Sequence, residues 1–205
     1  MMVEIFITDI IKICQVIEII EAIEQSPENV LSAASVRATS SLLGADVGEL
    51  AGIGKKGLTV CADLGEQIDN IDVLIDFTLP DALISNLDLC VAHNKPIVIG
   101  TTGLSAEQKS SLESAAQKIP VVFAANYSVG VNLMLNLVRQ AASVMADTAD
   151  IEIIEAHHRF KKDAPSGTAV AIGEAIASEI GRDLSSCAIY GREGDTGERD
   201  HETIG

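Results

Sequence analysis

Residues 73–102 read VLIDFTLPDALISNLDLCVAHNKPIVIGTT, and this stretch decides the fold class. It begins and ends with short, largely apolar runs, and the segment 81–92 between them has the length of a crossover helix. The runs are continuous and do not alternate between apolar and polar residues, which is typical of strands buried on both faces of a parallel sheet. We therefore predict a strand, a helix and a second strand parallel to the first.

The same succession is repeated along the rest of the chain. Further apolar runs and helix-length segments lie at 3–7, 30–36, 105–118, 121–126, 131–146 and 151–158. The segment 105–118 opens with Ser105 and Gln108, which have the spacing of a capping box. The sequence predicts an α/β protein with a doubly wound parallel sheet. The glycine- and charge-rich stretch 191–202 is expected to be a mobile surface loop.

The composition excludes several classes of partner. The 205 residues include 14 Lys+Arg against 30 Asp+Glu, a formal net charge of −16. A field of this sign repels phosphate backbones and anionic membrane surfaces, so we expect neither nucleic acid nor membrane as a partner. The four cysteines are too widely spaced for a disulfide framework or a zinc knuckle, and the segment 1–14 is too short to span a bilayer. We expect reduced core thiols in a cytoplasmic protein.

Three of the predicted strands end in small, polar or turn-forming residues, at 76–78, 100–103 and 124–127. In an open α/β sheet, ligands bind beyond the carboxyl ends of the strands, where backbone amides and hydroxyl groups can hold a nucleotide. Each end alone is more often an ordinary turn between a strand and a helix. Three such ends together favour a binding site.

Residues 155–168, EAHHRFKKDAPSGT, carry the main chemical signal. Two histidines, one arginine and two lysines are concentrated at 157–162 in a strongly acidic chain. Ser166 is suited to be an N-cap of a helix at 168–180, and the free amides of Gly167 and Thr168 would point at an anion, assisted by the helix dipole. A dicarboxylate substrate fits this pattern.

The adjacent His157 and His158 leave three interpretations open. On an extended strand they face opposite sides, which disfavours a shared metal ion, and no third ligand for a metal-dependent hydrolase is evident. A histidine can give a proton at neutral pH, and Lys161 can supply positive charge or a second proton beside it. A solvated basic loop with one structural histidine is the commoner alternative, but the helix start at 166–168 favours the chemical interpretation.

These motifs resemble the dihydrodipicolinate reductase family. The segment EAHHRFKKDAPSGTA (155–169) is similar to the family's signature, and the similarity covers nearly everything from about residue 31 onward. The other similar segments are SSLLGADVGELAG (40–52), VLIDFTLPDA (73–82), IVIGTTG (97–103), VVFAANYSVGVNLML (121–135) and YGREGDTGER (190–199).

The resemblance implies an enzyme of two domains. A Rossmann-like dinucleotide-binding domain would occupy residues 1–127, and residues 128–205 would form an incomplete α+β domain for substrate binding and catalysis. The implied reaction reduces the cyclic imine 4-hydroxy-tetrahydrodipicolinate to tetrahydrodipicolinate, in the diaminopimelate route to lysine, by hydride from NADPH or NADH.

The resemblance also implies roles for single residues. His157 would be the proton donor and Lys161 the second catalytic donor, while His158, Gly167 and Thr168 would contact the substrate carboxylates. The residues implied beside the cofactor are Gly100, Thr101, Thr102, Ala124, Ala125, Asn126 and Tyr127. No metal ion is implied.

The sequence departs from the family pattern at three places. Residues 8–14 (TDIIKIC) lack the family's glycine-rich turn, so we expect weakened binding of the cofactor pyrophosphate. Arg37 follows Val36 where the family often has an acidic residue, which favours the 2′-phosphate of NADPH. The chain stops at Gly205, where family members continue, so we expect an unpaired strand edge at 151–158 and a family-like homotetramer only when the remainder is present.

A second hypothesis belongs to a different class. The chain would be a catalytically silent relic that binds anions, or pairs with an intact subunit, through the basic residues at 157–162. Dicarboxylate binding without nicotinamide oxidation would distinguish it from the reductase.

Overall fold

The computed structural model describes residues 2–8, 13–162 and 164–205, and divides the chain into two compact units, Met1–Ala125 and Asn126–Gly205. The strands are β1 (Val3–Thr8), β2 (Asn29–Ser35), β3 (Val73–Asp76), β4 (Ile97–Ile99) and β5 (Val121–Phe123). The helices are α1 (Ile13–Gln25), α2 (Val47–Leu50), α3 (Pro80–Ala92), α4 (Ala106–Ala116), α5 (Val129–Met145), α6 (Gly167–Glu179) and α7 (Leu184–Cys187), with a 3₁₀ turn at Ile68–Asn70.

The five strands form one parallel sheet in the order β2-β1-β3-β4-β5. Because β1 lies between β2 and β3, the chain winds first to one side of β1 and then to the other. This reversal is the topological switch point of a doubly wound sheet, where such folds bind their ligands. The predicted fold class is therefore confirmed.

Alternate residues of β3 explain why its apolar run is continuous. Leu74 is fully buried in a cluster that contains Leu83 of α3. Val73 and Ile75 pack against a different cluster, which contains Ile20 of α1. Since successive side chains of a strand point to opposite faces, helices cover the sheet on both sides.

Helices α3 and α4 each begin within one residue of the predicted position. Ser105 and Gln108 form both hydrogen bonds of the capping box at the start of α4. Pro80 occupies the first turn of α3, where its missing N–H costs no helical hydrogen bond. Both helices lie within two residues of the predicted segments 81–92 and 105–118.

A carboxylate closes the loop that follows α2. Asp46 accepts hydrogen bonds from four backbone amides, those of Gly48 (2.9 Å), Glu49 (3.1 Å), Lys56 (3.0 Å) and Gly57 (2.7 Å). The Lys56 amide, with smaller contributions from the other three, holds the pKa of Asp46 below its usual range against the opposing effect of burial. Asp46 thereby fixes residues 46–57 as one loop.

The second unit has its own small core. Its buried members are Ala142, Ile176, Ala177, Cys187 and Ile204, contributed by α5, α6, α7 and the C-terminal residues. Partly buried apolar side chains from α5, α6 and the segment 151–153 pack against them. These contacts hold α5 and α6 together.

The predicted strand at 151–158 is wrong in extent. Ile151 forms a single bridge with Ile204, Gly205 N donates to Ile151 O (3.0 Å), and Ile153 N donates to Gly205 O (2.8 Å). In the described part of the chain, no backbone hydrogen bond pairs 154–157 with another segment. A strand needs hydrogen bonds to a neighbouring segment along its length, and here only residues 151–153 have such a neighbour.

Asp150 and Glu152 form ion pairs with the loop 191–202. Arg192 pairs with Glu152 (2.9 Å), and Arg199 pairs with Asp150 (3.0 Å) and also with Glu152. Every residue of the loop is exposed, so its position on the surface is as predicted, and its mobility stays a prediction.

Cys90 and Cys187 are buried free thiols as predicted, whereas Cys61 is half-buried. The side chain of Cys14 lies outside the part of the chain that the structure describes. Burial, with a smaller effect of Asp76, raises the pKa of the Cys90 thiol to about 12, so this thiol stays protonated. Across the described ranges, none of the helices combines the length and the apolar character needed to cross a membrane.

Candidate active site

A buried carboxylate joins the turns that follow β3 and β4. Asp76, the last residue of β3, is fully buried. It accepts hydrogen bonds from Thr78 N (2.9 Å), Thr78 Oγ1 (2.8 Å), Asn86 Nδ2 (2.7 Å) and Thr101 Oγ1 (3.0 Å). A carboxylate away from water needs such donors. Asp76 therefore fixes the edge of the sheet at which open α/β folds bind ligands.

Gly100 directly follows β4, and packing explains why it is a glycine. A Cβ atom at this position would lie 2.1 Å from Cε1 of the Phe77 ring. The amide of Gly100 donates to the carbonyl oxygen of Asp76 at 2.8 Å, which continues the pairing of β4 with β3. The absence of a side chain thus allows the Phe77 ring and the main chain of Gly100 to meet.

Thr101 and Thr102 differ in the direction they face. Thr101 is fully buried, and its Oγ1 lies 3.0 Å from Asp76 Oδ1 and 2.9 Å from Thr78 O. The Thr101 hydroxyl therefore faces the interior of the fold. Only the backbone of Thr101 is left to contact the cofactor, and that contact stays a prediction. Thr102 is exposed, so its hydroxyl can face a ligand.

The edge formed by the carboxyl ends of the strands also carries Arg37, Ala124 and Ala125. Ala124 follows β5, and its amide donates to Ile99 O at 3.3 Å. Ala125, the next residue, is exposed. Arg37 is also exposed, and it lies two residues after β2, which is the outer strand on the side of the sheet opposite to β5. The ends of the parallel strands thus lie side by side, as predicted. The roles of Arg37, Ala124 and Ala125 in cofactor binding stay predictions.

Asn126 and Tyr127 open the second unit. The Oδ1 of Asn126 accepts from Ser128 N at 2.8 Å, and its carbonyl oxygen accepts from Asn132 Nδ2 at 2.9 Å. Asn126 thus shapes the turn into α5. Residues 9–12 of the glycine-free loop lie outside the described residues, so its predicted effect on the cofactor stays a prediction.

In the second unit, Glu155 links the predicted proton donor to the start of α6. Its Oε2 lies 2.8 Å from His157 Nε2, and its Oε1 accepts from Ser166 N at 2.8 Å. Hydrogen bonds from Ser166 and then His157 lower the pKa of Glu155 to about 2. Glu155 is thus an anion throughout the neutral range, and this one carboxylate contacts both groups.

The start of α6 has the predicted geometry. Ser166 is the N-cap, in an extended conformation, and its Oγ accepts from Ala169 N at 3.1 Å. Gly167 and Thr168 are exposed, and their amides donate to no other described residue. Two open amides at the positive end of a 13-residue helix are suited to a carboxylate.

His158 and Lys161 lie in the turn that follows. His158 Nδ1 accepts from Phe160 N at 3.1 Å, and its carbonyl oxygen accepts from Lys161 N at 3.1 Å. The two histidines are thus bonded to different partners through different nitrogens. Within the described ranges, no three His, Cys, Asp or Glu side chains are grouped so as to hold a metal ion.

Neither Glu155 nor Asp76 was predicted to have an individual role, although Asp76 belongs to the predicted ligand-binding strand end 76–78. Glu155 stands two positions before His157, and residues i and i+2 of an extended segment face the same side, so this spacing was a usable signal. The role of Asp76 depends on Asn86 and Thr101, which are 10 and 25 residues away. No local pattern reveals contacts at such separations.

Two family models match the chain: the dihydrodipicolinate reductase N-terminus over residues 17–127 and the dihydrodipicolinate reductase C-terminus over residues 130–205. The chain belongs to the dihydrodipicolinate reductase family. The first match begins after the glycine-free loop at 8–14, and the second contains the whole of the signature at 155–169.

Curated relatives agree with the family models. A protein of Pseudoalteromonas atlantica is 68% identical over 187 residues, which make up 91% of this chain and 70% of the relative. A protein of Hahella chejuensis is 57% identical over the same shares. Both are named 4-hydroxy-tetrahydrodipicolinate reductase, so the predicted family is confirmed, and the activity in the relatives' names is the one that the sequence predicts.

A solved structure agrees as well. The dipicolinate-bound dihydrodipicolinate reductase from Paenisporosarcina sp. TG-14 is 27% identical, with a TM-score of 0.68. The match covers 98% of this chain and 72% of that one. This family member therefore shares the architecture of a reductase that holds a dicarboxylate.

Proposed function

We propose that this chain reduces 4-hydroxy-tetrahydrodipicolinate to tetrahydrodipicolinate, with NADPH or NADH as the reductant. One observation carries the proposal. The Glu155 carboxylate bonds both to His157 and to the amide of Ser166 at the start of α6. A proton source and an anion-binding helix start are therefore held by one side chain within one unit.

The reaction sets three requirements for the protein. A bound nicotinamide supplies the hydride, which carries two electrons to the substrate ring. The substrate loses its 4-hydroxyl as water, and this step takes up one proton. The chain must therefore hold the cofactor, bind the two carboxylates and deliver a proton.

The substrate roles follow from the second unit. We assign the proton to His157 and a second donor function to Lys161, whose charge also offsets the substrate carboxylates. The open amides of Gly167 and Thr168 would take one carboxylate, with His158 beside it. The dipicolinate held by the Paenisporosarcina protein has two carboxylates, which supports a dicarboxylate as the ligand class.

The cofactor roles follow from the edge of the sheet. The exposed Thr102 offers a hydroxyl to the nicotinamide half of the cofactor, with the backbone of Gly100 and Thr101 and with Ala124–Tyr127 as further contacts. Arg37 is a candidate partner for the 2′-phosphate, so we propose NADPH over NADH. The N-terminal family model over 17–127 supports a pyridine nucleotide in general.

We also propose that the protein acts in the cytoplasm, with residues 1–127 as the nucleotide domain and 128–205 as the substrate domain. The three described cysteines are free thiols, which suits a reducing compartment. We propose a homotetramer for a protein that extends over the full length of the relatives. Exposed apolar side chains such as Ile154, which is 93% exposed, suit such an interface.

The test is turnover of the imine substrate, followed by loss of nicotinamide absorbance, for the wild type and His157→Gln. We expect the variant to lose about 10²- to 10⁴-fold in kcat, the usual contribution of a general acid, with NADPH affinity unchanged. His201→Gln, in the exposed loop 191–202, is the matched control. An unchanged kcat in His157→Gln would refute the proton-donor role.

Turnover together with calorimetric binding of dipicolinate separates the reductase from the silent relic. The glycine-free loop at 8–14 favours the relic, because the pyrophosphate would lose its close backbone contacts. A wild-type chain that binds dipicolinate in calorimetry but oxidises neither NADPH nor NADH would establish the relic and refute the proposed reduction.

A further inference from the structure

We infer that Glu155 is a positioning residue that holds His157 by Nε2 and so makes Nδ1 the nitrogen that delivers the proton. This inference rests on the proposed function, because it specifies how the proton donor of that reaction is oriented. Nothing in the family match or in the relatives' names assigns a role to Glu155.

The two oxygens of Glu155 are committed to different partners. Oε1 accepts from the main chain at Ser166, which α6 holds in place, and Oε2 is 2.8 Å from the imidazole. The first bond fixes the carboxylate relative to the helix, and the second fixes the ring relative to the carboxylate. His157 is thereby oriented relative to the open amides of Gly167 and Thr168, which begin the same helix.

The protonation of the ring follows from the charge of its partner. Glu155 is ionised at neutral pH and can only accept, so Nε2 must carry a proton whether the imidazole is neutral or charged. Nδ1 makes no hydrogen bond with another described residue, and the His157 side chain is 37% exposed. When the ring is charged, the proton that can leave is therefore the one on Nδ1.

The neighbouring histidine presents the opposite nitrogen. His158 Nδ1 accepts from the Phe160 amide, so its neutral form also carries the proton on Nε2, but there Nε2 is the outward nitrogen. The remaining charged groups at 159–162 are cations, and Glu155 is the anion that His157 contacts. The two adjacent rings are thus prepared for different tasks: His157 to release a proton, and His158 to donate a hydrogen bond to an anion.

Glu155→Gln reverses the hydrogen bonding of His157. Since Ser166 N is a donor, the amide oxygen of the glutamine must face it, and the glutamine NH₂ then turns to His157. That NH₂ donates to Nε2 and moves the proton of the neutral ring to Nδ1. Glu174→Gln, on the exposed face of α6, removes the same charge without touching His157 and is the matched control.

The first measurement is the tautomer of His157 in the wild type, Glu155→Gln and Glu174→Gln, read from long-range ¹H–¹⁵N NMR correlations above the imidazole pKa. We expect Nε2–H in the wild type and the control and Nδ1–H in Glu155→Gln. A wild type with the proton on Nδ1 would overturn the inference, and this result needs no variant to fold. It is also independent of turnover, so an inactive wild type would refute the proposed function while the tautomer still decides the role of Glu155.

The second measurement is kinetic. We expect Glu155→Gln to lower kcat by about tenfold or more, part of what a general acid contributes, with KM for the imine within about twofold of the wild type. Glu174→Gln should leave both unchanged. A rise in KM without a change in kcat would mean that Glu155 only supports the anion site, and it would overturn the inference.

Discussion

Two carboxylates of the first unit and two of the second are stabilised in opposite ways. In the first unit, Asp76 is fully buried and Asp46 is 8% exposed, and both accept from neutral amides and hydroxyls. In the second unit, Glu152 and Glu155 are partly exposed, and they pair with arginines and a histidine. The first kind is enclosed by the fold, while the second kind faces solvent.

This difference follows from what each unit must hold in place. A buried carboxylate with neutral donors fixes the backbone, because moving it would leave several donors unpaired in an apolar interior. A carboxylate at the surface contributes little to stability, but it can orient a titrating group that a substrate can reach. We therefore expect substitutions of the enclosed Asp46 and Asp76 to change stability, and a substitution of Glu155 to change chemistry.

The largest effect on stability is expected for Asp76→Ala. Thr78 Oγ1 and Thr101 Oγ1 have second acceptors at 3.2 and 2.9 Å, whereas Thr78 N and Asn86 Nδ2 lose their partner. Two unpaired donors at about 1–3 kcal/mol each, reduced for the partial exposure of Asn86, give a loss of about 2–4 kcal/mol in the free energy of unfolding.

Urea titration measures this loss, with Asp88→Ala on the exposed side of α3 as the control. If Asp76→Ala and Asp88→Ala had the same midpoint, Asp76 would not hold the ends of β3 and β4, and the contrast between the two units would fail.

A smaller effect, with a defined pH dependence, is expected for Asp46→Asn. Because the Lys56 amide and its neighbours lower the pKa of Asp46 in the folded state, its ionised form stabilises the fold above the unfolded pKa of about 3.9. That contribution is lost as the pH falls through the lower folded pKa.

The check is the difference in Tm between the wild type and Asp46→Asn from pH 7 downward. We expect the wild type to be more stable at pH 5 to 7 and the difference to shrink below about pH 4. A difference that stayed constant with pH would show that the charge of Asp46 is not involved.

The smallest effect is expected for Arg199→Ala. Arg199 pairs with Asp150 and Glu152, but its side chain is 39% exposed, so solvent and salt screen the pairs. We expect a loss of at most about 1 kcal/mol, which disappears in molar salt. A loss comparable to that of Asp76→Ala would mean that the surface pairs hold the second unit together.

The sequence alone predicted the first unit closely because its signals are local or periodic. The apolar run at 73–78 indicated a strand buried on both faces. Leu74 and Ile75 do pack against different apolar clusters, one on each face of the sheet. The capping box at Ser105 was also confirmed, and so was the N-cap at Ser166 in the second unit. The strand predicted at 151–158 failed, since an apolar run does not reveal how far a neighbouring chain accompanies it.

By itself, the sequence determined the fold class, the family and the chemical groups at 155–168, because strand period, helix caps and motif spacing are properties of neighbouring residues. The tertiary structure decided how these groups are held. The contact of Thr101 with Asp76 joins residues 25 positions apart, and that of Ser166 with Glu155 joins residues 11 apart. Such pairings exist only once the chain has folded, since they depend on which turns the sheet and the helices bring together.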